Sequence, residues 1–259
     1  MYKGFNLNIE STYFSEYVDY GRKLHNDNKK LVKSKLDSFV GQDGELIASK
    51  IIAEWFPAIE ADIFLSHSHK DEASVLGLSG WLHENFGLTS FIDSCIWGYS
   101  NTLLKMIDDQ YCWESDRSIY DYNKRNRSTS HVYMMLSTAL AKMIDKCEGV
   151  FFVNTPNSIS ADKYIKGSEV TDSPWIYSEI AMTSLVRKRS PLEHRKKISE
   201  ARDSMESIEK SLRIEYDVDL SHLTQLSIQD LVRWSDENIV KGSSALDSLY
   251  KLNGVFYGR

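Results

Sequence analysis

A doubly wound α/β domain, a parallel sheet with helices on both faces, is the fold this sequence predicts, and three observations predict it. Short apolar runs of the kind that buried parallel strands need occur at Ile63-Phe64-Leu65, Thr89-Ser90-Phe91-Ile92-Asp93 and Val150-Phe151-Phe152-Val153. Segments with helical spacing of apolar residues alternate with these runs. The composition, 42% hydrophobic and 26% charged with 14 Tyr, 10 Phe and 6 Trp, is that of a globular chain able to bury a large core.

Each element follows in order. Tyr13, Phe14, Tyr17, Val18 and Leu24 recur at three- and four-residue steps and predict a helix. Gly41-Gln-Asp-Gly44 breaks it. Ile47, Ile51, Ile52, Trp55 and Phe56 then mark one side of a second helix, which Pro57 ends. Residues 1–60 therefore read as a helical N-terminal extension, and residues 61–259 as the α/β domain. The strand at 63–65 runs into the polar loop Ser66-His67-Ser68-His69-Lys70-Asp71-Glu72, which can cap a helix carrying Val75, Leu78, Leu82 and Phe86. After the second strand, residues 94–130 form a polar, aromatic insertion with one helical piece near Thr102 to Tyr111. Val132, Met135, Leu136, Ala139, Met143 and Ile144 share a face of the helix from His131 to Lys146. The third strand closes at Asn154-Thr155-Pro156-Asn157. Ser173-Pro174 then supplies an N-cap and a proline at the first helical position. That helix is expected to reach Arg189, its basic end facing the negative pole of the helix dipole. Beyond Pro191 a charged helix to about 212, a fourth strand within Arg213 to Leu220 and a helix over Ile228 to Trp234 are expected in a divergent C-terminal part.

The net charge of −6 argues against a general nucleic-acid binder, which shows a basic face. The local run Arg187, Lys188, Arg189, His194, Arg195, Lys196, Lys197 stays open as a basic patch or as a solvated helix end. Cys95, Cys112 and Cys147 are odd in number and match no zinc spacing, so no metal site is expected, and a reducing cytoplasm is the simpler setting. Cys147 is expected in the core. No signal-peptide run is present, and no stretch approaches the ~18 apolar residues of a membrane span. The expectation is a cytoplasmic protein with no membrane and no nucleic-acid partner.

Three pieces, in order, resemble the Toll/interleukin-1 receptor (TIR) domain family: Asp62-Ile-Phe-Leu-Ser-His-Ser-His-Lys-Asp-Glu72; Phe91-Ile92-Asp93; and Val150 to Ser158 followed by Ser173-Pro174-Trp175-Ile176-Tyr177-Ser178-Glu179. The last is similar to the family's Ser-x-Trp-x-x-x-Glu helix. The match covers about half of the chain. The resemblance implies a flavodoxin-like doubly wound parallel sheet. It also implies the activity that some TIR domains have, cleavage of NAD+ at the nicotinamide–ribose bond, with Glu179 as the essential carboxylate. The 94–130 insertion and the loop from Ile159 to Asp172 are longer than the family's usual connections, and the C-terminal strands do not match.

The cleavage that the resemblance implies makes modest chemical demands. Nicotinamide is already a cationic leaving group, so no strong general acid is needed. Bond breaking builds oxocarbenium character on the ribose, which a nearby carboxylate favours. Trp175 and Glu179 lie four residues apart on one helix face, continued by Met182 and Val186. A carboxylate in an apolar stripe needs a task or a partner, and pairing with a nearby cation is the plain alternative to catalysis. Ser66, His67 and Asp93 follow strand carboxyl ends, where open α/β sheets bind ligands. They are candidate substrate contacts, or else helix and turn caps. Trp97, in Trp97-Gly98-Tyr99, and Trp175 are candidate ring-stacking residues, or else packing aromatics. His69 is expected to be exposed. Tyr120-Asp121-Tyr122 with Lys124, Arg125 and Arg127 is either a diphosphate contact or a plain loop. With no G-x-G-x-x-G and no Walker loop, NAD+ would be a consumed substrate and no cofactor is expected.

The expected function is thus a TIR-type enzyme turning NAD+ into an ADP-ribose-derived messenger, linear or cyclic, similar to the signal-generating component of an antiphage system such as Thoeris. Such a protein can self-associate through TIR surfaces and activate a separate effector through its product. Two rivals stand beside it: a non-enzymatic TIR scaffold, and a nucleoside deoxyribosyltransferase-like enzyme.

Overall fold

The structure is a computed structural model that describes residues 1–9, 12–28, 39–40, 46–56, 59–159, 170–195 and 216–254. In chain order its elements are β1 (Lys3–Asn8), α1 (Val18–Asn28), α2 (Ala48–Trp55), β2 (Ile63–Ser66), α3 (Glu72–Phe86), β3 (Ser90–Ile92), α4 (Ser94–Ile107), β4 (Trp113–Glu114), β5 (Ile119–Tyr120), α5 (Tyr122–Lys146), β6 (Gly149–Asn154), β7 (Val170–Thr171), α6 (Pro174–Leu185), α7 (Pro191–His194), β8 (Tyr216–Asp217), β9 (Thr224–Leu226), α8 (Ile228–Glu237) and α9 (Ala245–Leu252). Five of the strands pair in parallel in the order β3-β2-β6-β1-β9.

Successive side chains of a strand point to opposite faces, and the sequence uses both. Phe5, Leu7, Ile63, Leu65, Phe151 and Val153 enter one core with Val75, Leu78 and Leu82 of α3, Trp234 of α8 and Leu246 and Tyr250 of α9. Phe64, Phe91 and Val150 enter a second core with Ile51 and Trp55 of α2, Leu103 of α4 and Val132, Leu136 and Met143 of α5. Helices therefore cover both faces of a parallel sheet, as the alternating pattern predicts. No described helix is long and apolar enough to cross a membrane.

The first sixty residues depart from expectation. They are not only helical: Lys3–Asn8 is a strand of the sheet itself, in register with β6 from Lys3↔Gly149 to Asn8↔Asn154 and with β9 at Phe5↔Thr224. The apolar alternation Phe5, Leu7, Ile9 is the signal for it. The helices expected there do form, although Gly41–Gly44 and Pro57 lie outside the described residues. α1 packs on α3 through glycines. A Cβ at Gly21 would sit 1.9 Å from the Leu76 carbonyl oxygen, and one at Gly77 would sit 2.3 Å from that of Phe14.

The 94–130 segment is more regular than predicted. α4 begins directly after Asp93, a five-residue π turn (Asp108–Cys112) follows, and β4 and β5 form a short antiparallel hairpin. α5 starts at Tyr122 rather than His131, because the Asp121 side chain caps it by accepting from the Lys124 amide at 2.7 Å. α6 begins as predicted, with Ser173 Oγ accepting from the Ile176 amide at 3.3 Å and Pro174 in its first turn. It ends at Leu185, short of the basic triplet. In the C-terminal part, Tyr216–Asp217 pairs antiparallel with Val170–Thr171 outside the main sheet, and Thr224–Leu226 takes the sheet position beside β1. The helix expected from 192 to 212 lies mostly outside the described residues.

Candidate functional site

The chain runs from β2 to β3 on one side, then crosses to β6 on the other side of β2. Adjacent strands whose connections leave in opposite directions part at their carboxyl ends, and ligands of open α/β sheets bind at such switch points. Ser66 is the last residue of β2 and His67 the next. Asp93 follows β3, and Glu179 comes from α6, the helix after β6 and β7. Four of the predicted site residues thus come from three elements to this one end of the sheet.

There they form a connected, buried cluster. Ser66, His67, Asp93 and Glu179 are each no more than 3% exposed. Ser66 Oγ donates to Glu179 Oε2 at 2.5 Å. His67 Nδ1 lies 2.7 Å from Asp93 Oδ1 and 3.3 Å from the Leu65 carbonyl oxygen. Both of these are acceptors, so Nδ1 carries a hydrogen and the tautomer is settled by its surroundings. Asp93 Oδ1 also accepts from the Ser94 amide at 2.8 Å, capping α4. Asp93 thus caps α4, the alternative expected of it, and pairs with His67 through the same oxygen.

Glu179 titrates well above the usual carboxylate range. Burial is the largest cause and the negative charge of Asp93 the next; the Ser66 hydroxyl opposes them. The two carboxyl groups are also within hydrogen-bonding reach of each other. Ionised carboxylates only accept, so a hydrogen bond between them requires a proton. A proton held between them would sit on Glu179, whose affinity burial and Asp93 raise. For His67, burial disfavours the charged form, but the Asp93 carboxylate outweighs it and holds the imidazole above its ordinary value. Two buried polar atoms of the cluster have no hydrogen-bond partner, Glu179 Oε1 and His67 Nε2. Buried polar atoms are usually hydrogen-bonded, so both of these are open to a further partner.

The remaining predicted residues fall elsewhere. Trp175 is half-buried; its ring meets Tyr133 on α5 with centroids 5.6 Å apart, and it packs against the second core together with Met182 and Val186. Trp97 lies in α4, with its side chain outside the described residues. His69 is exposed, as expected. Cys147 is fully buried, its thiol pushed up to about 12 by burial. Several candidate cations are engaged within the chain: Arg125 with Asp108 at 3.0 Å, Arg187 with Glu193 at 3.1 Å, Arg189 with Asp145, and Arg195 with Glu148 and Asp247, each at 3.0 Å. Among the described residues, no group of three or more His, Cys, Asp or Glu side chains is placed to hold a metal ion.

One supporting residue was absent from the predicted set. Asp71, 3% exposed, accepts from Thr155 Oγ1 at 2.5 Å and from Asn157 Nδ2 at 2.8 Å. It ties the loop after β2 to the loop after β6 and so fixes both sides of the switch point. The acidic residue was visible in the loop, but its partners stand 84 and 86 residues away, and nothing local signals them.

None of the family models, curated proteins or solved structures compared with this chain matches it.

Proposed function

We propose that this chain is a TIR-type enzyme that cleaves NAD+ at the nicotinamide–ribose bond, with Glu179 as its catalytic residue. The observation that carries this reading is the Glu179 carboxyl itself. It is buried at the carboxyl end of a parallel sheet, oriented by Ser66 and set beside a second carboxyl group. A stability-driven design would not place two carboxyls together away from water. The resemblance of Ser173-Pro174-Trp175 to Glu179 to the TIR glutamate helix points to the same side chain. The order β3-β2-β6 is compatible with a flavodoxin-like sheet, in which β1 would take the place next to β6.

In the proposed reaction the C1′–N bond of NAD+ breaks and its electron pair leaves with nicotinamide, which becomes neutral. The ribose is left with oxocarbenium character, which the Glu179 carboxylate favours electrostatically. Water adds at C1′ and loses a proton to give ADP-ribose, or a nucleophile within the same molecule adds to give a cyclic product. In a cell the product would serve as a messenger for a separate effector, in antiphage signalling of the Thoeris kind.

The test is mass spectrometry of cells expressing the chain, with and without phage challenge, beside a Glu179→Gln variant. Gln keeps the size and loses the charge. Wild type is expected to deplete NAD+ and yield an ADP-ribose-type ion, and the variant to lose about a hundredfold or more of that activity. Biological activity surviving in the variant without any nucleotide change would replace this reading with the scaffold, and preferential turnover of nucleosides would replace it with the deoxyribosyltransferase-like enzyme.

A further inference from the structure

Two buried carboxylates among the described residues, Glu148 and Asp108, are each closed by an arginine. Glu148 is gripped by both Nε and Nη2 of Arg195 and by the Tyr250 hydroxyl. Asp108 accepts from Arg125, Ser128 and Cys112. The cluster at the switch point differs: its imidazole pairs with Asp93, while Glu179 is bonded to the neutral Ser66 hydroxyl. The charged groups facing its members are Asp93 toward Glu179, and Asp93 and Asp71 toward His67. Asp71 has donors of its own in Thr155 and Asn157. With His67 charged and both Asp93 and Glu179 ionised, the buried trio would hold one negative charge in excess, at a desolvation cost. A proton on Glu179 removes the excess, and a bound cation would remove it equally well.

Resting on the reading of Glu179 as the catalytic residue of an NAD+-cleaving site, we propose that the His67–Asp93–Glu179 trio selects a cationic N-ribosyl centre. His67 is its positioning residue, holding Asp93 beside Glu179, and binding of the cation expels the Glu179 proton to solvent. The two partnerless atoms fit this ligand chemistry. Ribose hydroxyls can accept from His67 Nε2 and donate to Glu179 Oε1, whereas a purely apolar group would leave both unsatisfied. The same exchange makes Glu179 a carboxylate at the moment when the pyridinium, and then the oxocarbenium, needs one.

Substrate charge and pH are therefore linked at this site. The full-length protein is titrated calorimetrically, over a pH series and in two buffers of different ionisation enthalpy, with two dinucleotides. One is the carbocyclic analogue of NAD+, which keeps the pyridinium charge and resists cleavage. The other is NADH, whose reduced ring is neutral. The analogue is expected to release about one proton and to gain about tenfold in affinity per pH unit below the Glu179 titration, while NADH affinity stays flat. Asp93→Asn, which removes the like charge, should move the rise to lower pH. His67→Gln, which removes the compensating cation, should move it to higher pH. A residue that merely supports the fold would change affinity without moving the midpoint. Binding of the analogue without proton release and with the pH profile of NADH would overturn this inference and leave the cleavage reading in place. Failure of the wild type both to bind the analogue and to consume NAD+ would overturn both. The comparison of the two ligands on wild type needs no variant to fold.

Discussion

At the scale of single residues, the folded chain takes up a proton at Glu179 more readily than the unfolded chain does, because burial and the neighbouring Asp93 charge raise its titration. The sign of the consequence is opposite to that of a salt-bridged carboxylate. Below the ordinary carboxylate value both states are protonated. Between that value and the raised one, only the folded state binds the proton, so stability declines as pH rises through this window. His67, also raised, acts in the same direction: the contribution of its pair with Asp93 is complete below the ordinary histidine value and is lost as pH climbs through the raised one. The folding equilibrium of the wild type should therefore weaken by up to about tenfold per pH unit across the Glu179 window relative to Glu179→Gln, which cannot ionise. Thermal melts of the two proteins over a pH series measure this. Parallel melting curves at every pH would mean that Glu179 is not the buried, neutral group described here.

At the scale of elements, the tightest constraint lies between α1 and α3. Gly21, Gly77 and Gly80 let α3 approach α1 and the turn that precedes it, at Phe14 and Tyr17, until side-chain atoms have no room. A Cβ at Gly80 would lie 2.6 Å from the Tyr17 carbonyl oxygen and one at Gly21 closer still to that of Leu76. Backbone is not a flexible neighbour, so the helices must part. Gly21→Ala is expected to cost about 1–3 kcal/mol despite the better helix propensity of alanine. Lys23→Ala, on the exposed side of the same helix, should stay within about 0.5 kcal/mol of wild type. Denaturant unfolding of both variants decides this; a wild-type midpoint for Gly21→Ala would refute the close contact. α6 shows tertiary structure overriding a local rule. Its basic triplet was expected to complete the helix, yet the helix stops at Leu185: Val186 is extended, and beyond it Arg189 pairs with Asp145 while its amide donates to the Met1 carbonyl at 3.2 Å.

At the scale of the whole molecule, β1 joins the ends of the chain. It lies between β6 and β9, so Phe5 and Leu7 belong to the same core as Phe151, Leu226, Trp234 and Tyr250, and the Phe86 and Trp234 rings stack at 3.8 Å where α3 meets α8. A chain beginning at residue 61, the boundary suggested by the helical pattern, would lack a central strand and leave β6 and β9 without a shared partner. It is expected to show no cooperative thermal transition and no protected amides in hydrogen exchange. A cooperative melt from that fragment would show that β1 is dispensable.

What the sequence determined by itself is whatever local spacing encodes. The strands at 63–66, 90–92 and 149–154 announce themselves as apolar runs because both of their faces are buried. Ser173-Pro174 marks the start of α6, and the Trp175-to-Glu179 interval sets the glutamate on its inward side. β1 was harder to see, because Asn6 and Asn8 interrupt its apolar residues, and Asn6 is nonetheless buried. Only the tertiary structure decided where that strand inserts, since pairing is a matter of contacts between distant segments. It alone decided the protonation of the site as well. Ser66 and Glu179 stand 113 residues apart, and the proton on Glu179 depends on the Asp93 charge and on exclusion of water, neither of which any window of sequence contains.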